Sequence, residues 1–191
     1  MGRIVVTEFV SLDGVMEDPG GSERFKHGGW SFKIDTGEGM TFKVEETMAS
    51  DALLLGRVTY EGFAEAWPTR DGEFADRFNS MPKHVVSSTL ERPEWNNSDV
   101  LEGDLEAGVA RLKEQYEGDV VVHGSATLVQ ALLERDLVDE LRLMVFPVVL
   151  GSGKRLFGET SDAKRLQLID TRTVGDGVVI LTYGRAAESD G

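Results

Sequence analysis

The chain has 191 residues, 40% of them hydrophobic and 28% charged, which suits one compact domain over residues 1–186 followed by a polar tail at 187–191; a chain of this size buries roughly 70% of its unfolded surface. Its 0 cysteines exclude disulfides, thiolate metal sites and cysteine nucleophiles. A net charge of −14 argues against a nucleic-acid partner, and the longest apolar run, Leu143 to Leu150, is far short of the ~20 residues that cross a bilayer.

No cationic stretch leading into an apolar one opens the chain, so a cytoplasmic location and no membrane partner are expected. In chain order, Arg3 to Val10 reads as a first strand, and a glycine-rich irregular stretch follows from Ser11 to Gly39. Thr41 to Ser50 has a helical pattern. Ala52 to Leu55 is a short apolar strand ending at Gly56, and Val58 to Ala66 resumes as a helix. Phe74, Phe78 and Met81 are spaced for another helix, Lys83 to Ser88 reads as a strand, and a weaker strand lies near Asp99 to Glu102. Leu105, Val109, Leu112 and Tyr116 mark one helical face. Asp119 to His123 is a buried strand, and a helix carrying Leu128, Val129, Leu132 and Leu133 follows. Asp139 to Leu150 contains a strand, and Leu166 to Arg185 reads as two strands joined by a tight turn at Gly175-Asp176-Gly177.

Continuous apolar strands separated by helices imply parallel βαβ units, and the final hairpin adds antiparallel strands. The order β-α-β-α-β-β-α-β-α-β-β-β therefore predicts an α/β fold with a mostly parallel sheet between helical layers. In such sheets ligands bind beyond the carboxyl ends of the strands. Three strand ends there carry small or hydroxyl residues. At Leu55-Gly56-Arg57-Val58-Thr59 a glycine allows close backbone approach, an arginine offers a charged fork and a threonine offers a hydroxyl. The plain alternative is a strand-end glycine with a solvated arginine. At Val86-Ser87-Ser88-Thr89 the hydroxyls suit phosphate or ribose, or simply a turn. At His123-Gly124-Ser125-Ala126 a glycine precedes a helix that Ser125 can cap, with or without a ligand. No dinucleotide glycine fingerprint and no P-loop are present. His27, His84 and His123 are scattered, so no metal site is expected.

Together these turns, with Ser11-Leu12-Asp13-Gly14, Asp139-Glu140-Leu141 and Pro147 to Gly153, carry a resemblance over nearly the whole chain. The sequence resembles the dihydrofolate reductase superfamily, in the branch related to the C-terminal reductase domain of bacterial riboflavin biosynthesis proteins. The resemblance implies a dihydrofolate-reductase-like α/β/α fold and NADPH as cofactor. Arg57 with Ser87 and Ser88 then faces the 2′-phosphate, Thr59 and Gly124 lie along the pyrophosphate, and Gly56 and Ser125 belong to the same cofactor-binding turns. Where the family has two glycines joined by a cis peptide, this chain has Gly124-Ser125. A cis bond before a non-proline residue costs ~3 kcal/mol, so the cofactor turn is expected to carry over and its cis geometry is not.

The same resemblance places Asp13 near the nicotinamide, as the acid that orders the covering loop or orients substrate; the plain alternative is a turn aspartate. Dihydrofolate reductases carry another acid on the first helix. That position falls near Met40 here, with Glu45 and Glu46 only nearby, so folate is not the expected substrate. The implied activity is hydride transfer to a small pyrimidine- or pterin-like heterocycle by a homodimer. The alternatives are a ligand-binding protein without turnover and a purely structural homodimer. Trp30, Phe32 and Phe42 are candidates for stacking on a heterocycle or for core and dimer contacts.

Overall fold

The computed structural model describes residues 1–186, so the polar tail expected at 187–191 lies outside the described residues. Eight strands form one sheet: β1 (Arg3–Ser11), β2 (Ala52–Gly56), β3 (Lys83–Val86), β4 (Ser98–Val100), β5 (Asp119–Val122), β6 (Glu140–Phe146), β7 (Leu166–Val174) and β8 (Val178–Arg185). Five helices connect them: α1 (Gly39–Ala49), α2 (Arg57–Ala66), α3 (Glu73–Ser80), α4 (Leu105–Gln115) and α5 (Ala126–Glu134).

The sheet order is β4-β3-β2-β5-β1-β6-β8-β7. Strands β4 to β6 run parallel, and β8 and β7 add the antiparallel hairpin, closed by pairing of Val174 with Val178. The middle strands are apolar on both faces because helices cover both. Ile4, Val5, Val6, Leu53, Leu54, Val120, Val121 and Val122 are all fully buried.

Alternation along the strands splits the core into layers. Ile4, Val6, Leu54, Val122, Leu141 and Leu143 pack against Val109 and Leu112 of α4 and Leu128 to Leu133 of α5. Val5, Leu53, Leu55 and Val121 pack against Tyr60 of α2 and Phe78 of α3. Met144 and Phe146 meet Trp30 and Phe42 beyond β1, with Phe42 on α1. Trp30 and Phe42 are thus core residues, whereas Phe32 is exposed.

Several element edges differ from the sequence expectation. The strand at Lys83 stops at Val86, so Ser87 and Ser88 lie in the following turn; the Ser87 hydroxyl there accepts from the backbone N–H groups of Thr89 and Leu90. The stretch after β1 contains a 3₁₀ turn at Trp30–Lys33 and is tied down at both ends. The backbone N–H of Met16 donates to the carbonyl of Lys154, and the Trp30 indole donates to the carbonyl of Glu17.

Candidate functional site

β5 is the last parallel strand to enter the left half of the sheet, and it slots between β2 and β1. The order reverses there, and helices leave the sheet on opposite faces, which opens a crevice at the strand ends. A cavity of about 530 Å³ fills it. Its walls come from Thr7, Glu8 and Phe9 of β1, Gly56 to Thr59 after β2, and His123 to Leu128 after β5; Met16 to Pro19, Glu23 and Lys154 line it as well.

The turns after β2 and β5 are interlocked. The Ser125 hydroxyl accepts from the backbone N–H of Gly56 at 3.0 Å and shares a hydrogen bond with the Thr59 hydroxyl at 2.7 Å. A Cβ on Gly56 would stand 2.8 Å from the Cβ of Ser125, and one on Gly124 would stand 2.8 Å from the Thr59 hydroxyl, so both glycines are required by contact. Ser125 occupies the N-cap position of α5 in left-handed conformation (φ 61°) and makes no side-chain cap. The cap expected of Ser125 is therefore absent, because its hydroxyl is turned toward Gly56 and Thr59. Gly56, at the N-cap of α2, has no side chain to cap with. Two helix N-termini without side-chain caps thus open on one cavity, each with free N–H groups and the positive end of its dipole.

All peptides among the described residues are trans, including Gly124–Ser125. Gly56, Arg57, Thr59, Gly124 and Ser125 are brought together along the cavity. Arg57 lies over the first turn of α2 and pairs with both carboxylate oxygens of Glu61 at 2.9 and 3.0 Å, half exposed. Ser87 and Ser88 sit one strand further out and do not line the cavity.

Asp13 also lies outside the lining. Its carboxylate accepts from the Ser11 hydroxyl at 2.7 Å and from the backbone N–H groups of Leu150 and Gly151 at 3.1 and 2.9 Å. Those hydrogen bonds, led by Ser11, lower its pKa to about 2. Asp13 thereby ties the loop after β1 to the segment after β6.

At the cavity wall and just behind it lie residues that the sequence reading did not select as site residues. Lys43 and Glu46 pair at 2.6 Å on one face of α1, and both bond the Thr7 hydroxyl. Glu46 also meets Arg142 at 3.2 Å. Burial pushes the Glu46 carboxyl upward, yet Lys43, His123 and Arg142 together hold it below its ordinary value. Glu46 faces these partners rather than the cavity. His123 follows β5, its Nε2 buried without a partner, and burial with the Lys43 charge lowers its pKa to about 3. Glu8 is 6% exposed with Oε1 unpartnered. Burial raises its pKa to about 8, against a hydrogen bond from the Gly124 backbone and the charge of Lys43. Glu8 was legible in principle, since it shares the two-residue period of Ile4, Val6 and Val10 and so is a carboxyl on a buried stripe. Among the described residues no cluster of three His, Asp or Glu is placed to hold a metal ion, and no helix is long and apolar enough to cross a membrane.

The family model for the RibD C-terminal domain matches residues 3–180. The chain belongs to this family. Uncharacterized protein YyaP of Bacillus subtilis (strain 168) is 28% identical over 186 residues, covering 95% of this chain and 94% of its own. A putative riboflavin biosynthesis protein from Shewanella sp. PV-4 superposes with a TM-score of 0.78 at 24% identity, over 97% of this chain and 99% of that one. Dihydrofolate reductase from Enterococcus faecalis, solved with NADP(H) and RAB-propyl, superposes with a TM-score of 0.61 at 16% identity, over 97% of both chains. The fold of this RibD C-terminal domain is dihydrofolate-reductase-like, as the sequence resemblance implied.

Proposed function

We propose that this RibD C-terminal domain is an NADPH-dependent reductase that transfers a hydride to a small pyrimidine- or pterin-like heterocycle. The observation that carries the reading is the pair of helix N-termini, α2 and α5, meeting at one cavity beside two glycines that admit a backbone-close ligand. Such an arrangement suits a pyrophosphate, which accepts hydrogen bonds from free N–H groups and is favoured by both dipoles. It also answers the charge of −14, because N–H groups fixed at the site act locally against an unfavourable global field. The dihydrofolate reductase neighbour, solved with NADP(H), has the same fold.

When bound, the dinucleotide supplies the hydride. The chain's own residues position and hold it. Gly56, Thr59, Gly124 and Ser125 border the pyrophosphate, and Arg57 reaches the 2′-phosphate by leaving Glu61. Ser87 and Ser88 stand at the next strand end, within the same edge of the sheet, and complete the phosphate site. Asp13 acts as a positioning residue by fixing the loop that covers the nicotinamide.

The homodimer belongs to β7 in this reading. The apolar run from Leu143 is interior, since β6 lies between β1 and β8. On the outer edge, Leu166, Leu168 and Ile169 are 40%, 48% and 60% exposed. An unpaired apolar edge of that length is a surface that proteins usually cover.

Titration of the protein with NADPH and NADH, read by nicotinamide fluorescence and thermal stability, tests the cofactor reading. Saturable NADPH binding with preference over NADH is expected. Absence of binding by either dinucleotide sinks it.

A further inference from the structure

Resting on that reading, one question left open is which group gives the proton that must accompany a hydride. Several polar side chains face the cavity, and most are already committed. The hydroxyls of Thr59 and Ser125 bond each other. Lys43 is held by Glu46 and Thr7. The Asp18 carboxylate accepts from the backbone N–H groups of Glu23 and Phe25, and that of Glu17 accepts from Lys154. His123 is a neutral imidazole with no proton to spare above pH of about 3.

Glu8 is different in position and in bonding. It stands near the carboxyl end of β1, on the side-chain stripe of Val6 and Val10, beside the turn after β5, whose Gly124 backbone N–H it accepts from. It is more than nine-tenths buried, lines the cavity, and keeps Oε1 without any partner. A buried carboxyl oxygen with no partner carries a desolvation cost that a ligand group can remove. Its titration is set first by burial, then by the hydrogen bond from the Gly124 backbone and by the charges of Lys43 and Glu46 from α1, with His123 of the turn after β5 close to the same two charges. Arg57 from α2, Glu17, Asp18 and Glu23 from the loop, and Lys154 share the cavity walls.

We propose that Glu8 is the proton donor of this site, held as a neutral carboxylic acid whose O–H reaches the nitrogen of a C=N bond in the substrate. Burial supports that state, raising its pKa to about 8. In the step, the C=N π bond breaks as its carbon gains a hydride with its electron pair from the reduced dinucleotide, which leaves oxidised. The nitrogen takes the Glu8 proton, forming an N–H bond and leaving a carboxylate. That carboxylate regains a proton from water entering at the cavity mouth. A C=N group fits because its nitrogen accepts the O–H directly and holds the transferred proton as an N–H bond.

Two measurements test this. The first uses cofactor-free protein labelled with 13C at glutamate Cδ. One carboxyl signal, absent from Glu8→Gln, should remain protonated at pH 7 and titrate near pH 8. A Glu8 signal that is ionised at pH 7 overturns the proposal, whatever the dinucleotide does. The second follows NADPH oxidation with 7,8-dihydropterin as the C=N probe. In the wild type kcat should fall as pH rises through about 8. Glu8→Gln should lower kcat about 100-fold, lose that pH limb and bind NADPH unchanged, and Glu8→Asp should restore part of both. Glu8→Gln with the wild-type rate and pH limb overturns the donor role. NADPH binding without reduction of the probe by the wild type overturns the C=N assignment. Failure to bind any dinucleotide sinks the underlying reading and the donor role with it, while the carboxyl titration still reports the state of Glu8.

Discussion

The Ser125 hydroxyl lies 2.7 Å from the hydroxyl of Thr59, and this contact joins the turn after β2 to the turn after β5. Ser125 also accepts from the Gly56 backbone while held at φ 61°. Its side chain stabilises the junction and its backbone opposes it, since a left-handed residue with a Cβ costs roughly 1–2 kcal/mol. Ser125→Ala keeps the backbone cost and loses both hydrogen bonds, so stability should drop by about 1–2 kcal/mol. Ser125→Gly loses the same bonds and relieves the backbone, so it should stay within about 1 kcal/mol of the wild type. Urea midpoints at unchanged slope compare the two. An alanine variant as stable as the glycine one contradicts this account.

Arg57 and Glu61 form an exposed pair one helical turn apart, with side chains 43% and 49% accessible. Such pairs contribute no more than about 0.5 kcal/mol, so Arg57→Ala should leave the melting temperature nearly unchanged. Its NADPH affinity should fall about 10- to 100-fold, as expected for losing a charge-assisted phosphate contact, with little change for NADH. Glu61→Ala frees the arginine and should tighten NADPH. Equal losses for both dinucleotides in Arg57→Ala would place the arginine away from the 2′-phosphate.

Much of this fold is legible because its signals are local. Val120 to Val122 read as a strand buried on both faces, and Gly175 to Gly177 read as a hairpin turn, each from its own few residues. The glycine turns at 56 and 124 were also visible, because close approach demands glycine whatever lies opposite. What lies opposite is not local. Ser125 looks like a helix cap in sequence, and only the arrival of Gly56, 69 residues away, redirects its hydroxyl. Asp13 depends in the same way on backbone N–H groups at Leu150 and Gly151. Glu46 is an unremarkable helical glutamate until Arg142, 96 residues on, pairs with it across the sheet.

The β7 edge makes its own prediction. Ile169 is 60% exposed and makes no core contact that a polar residue would break. Ile169→Lys should therefore change stability by no more than about 0.5 kcal/mol. If two copies meet at this edge, light scattering should give a dimer for the wild type and a monomer for Ile169→Lys. A monomeric wild type, or a dimer untouched by the substitution, moves any interface away from β7.

His123 and Glu8 should bend the stability curve in opposite directions. The folded state holds the pKa of His123 at about 3, below its ordinary 6.5, through burial and the Lys43 charge. Between those values the unfolded chain binds more protons, so stability is full above about pH 6.5 and is lost as pH falls toward 3, by up to about 1.4 kcal/mol per pH unit. Glu8 has a folded pKa of about 8 against an ordinary 4.5. There the folded state binds more protons, so stability is full below about pH 4.5 and is lost as pH rises toward 8. The two slopes oppose each other where the windows overlap, between about pH 4.5 and 6.5. His123→Gln should flatten the acid side and leave the alkaline side standing, and Glu8→Gln should do the reverse. Chemical denaturation at a series of pH values reads slopes rather than absolute stability, so a uniform cost of either substitution does not obscure the result. An alkaline limb that persists unchanged in Glu8→Gln would show that it does not come from Glu8.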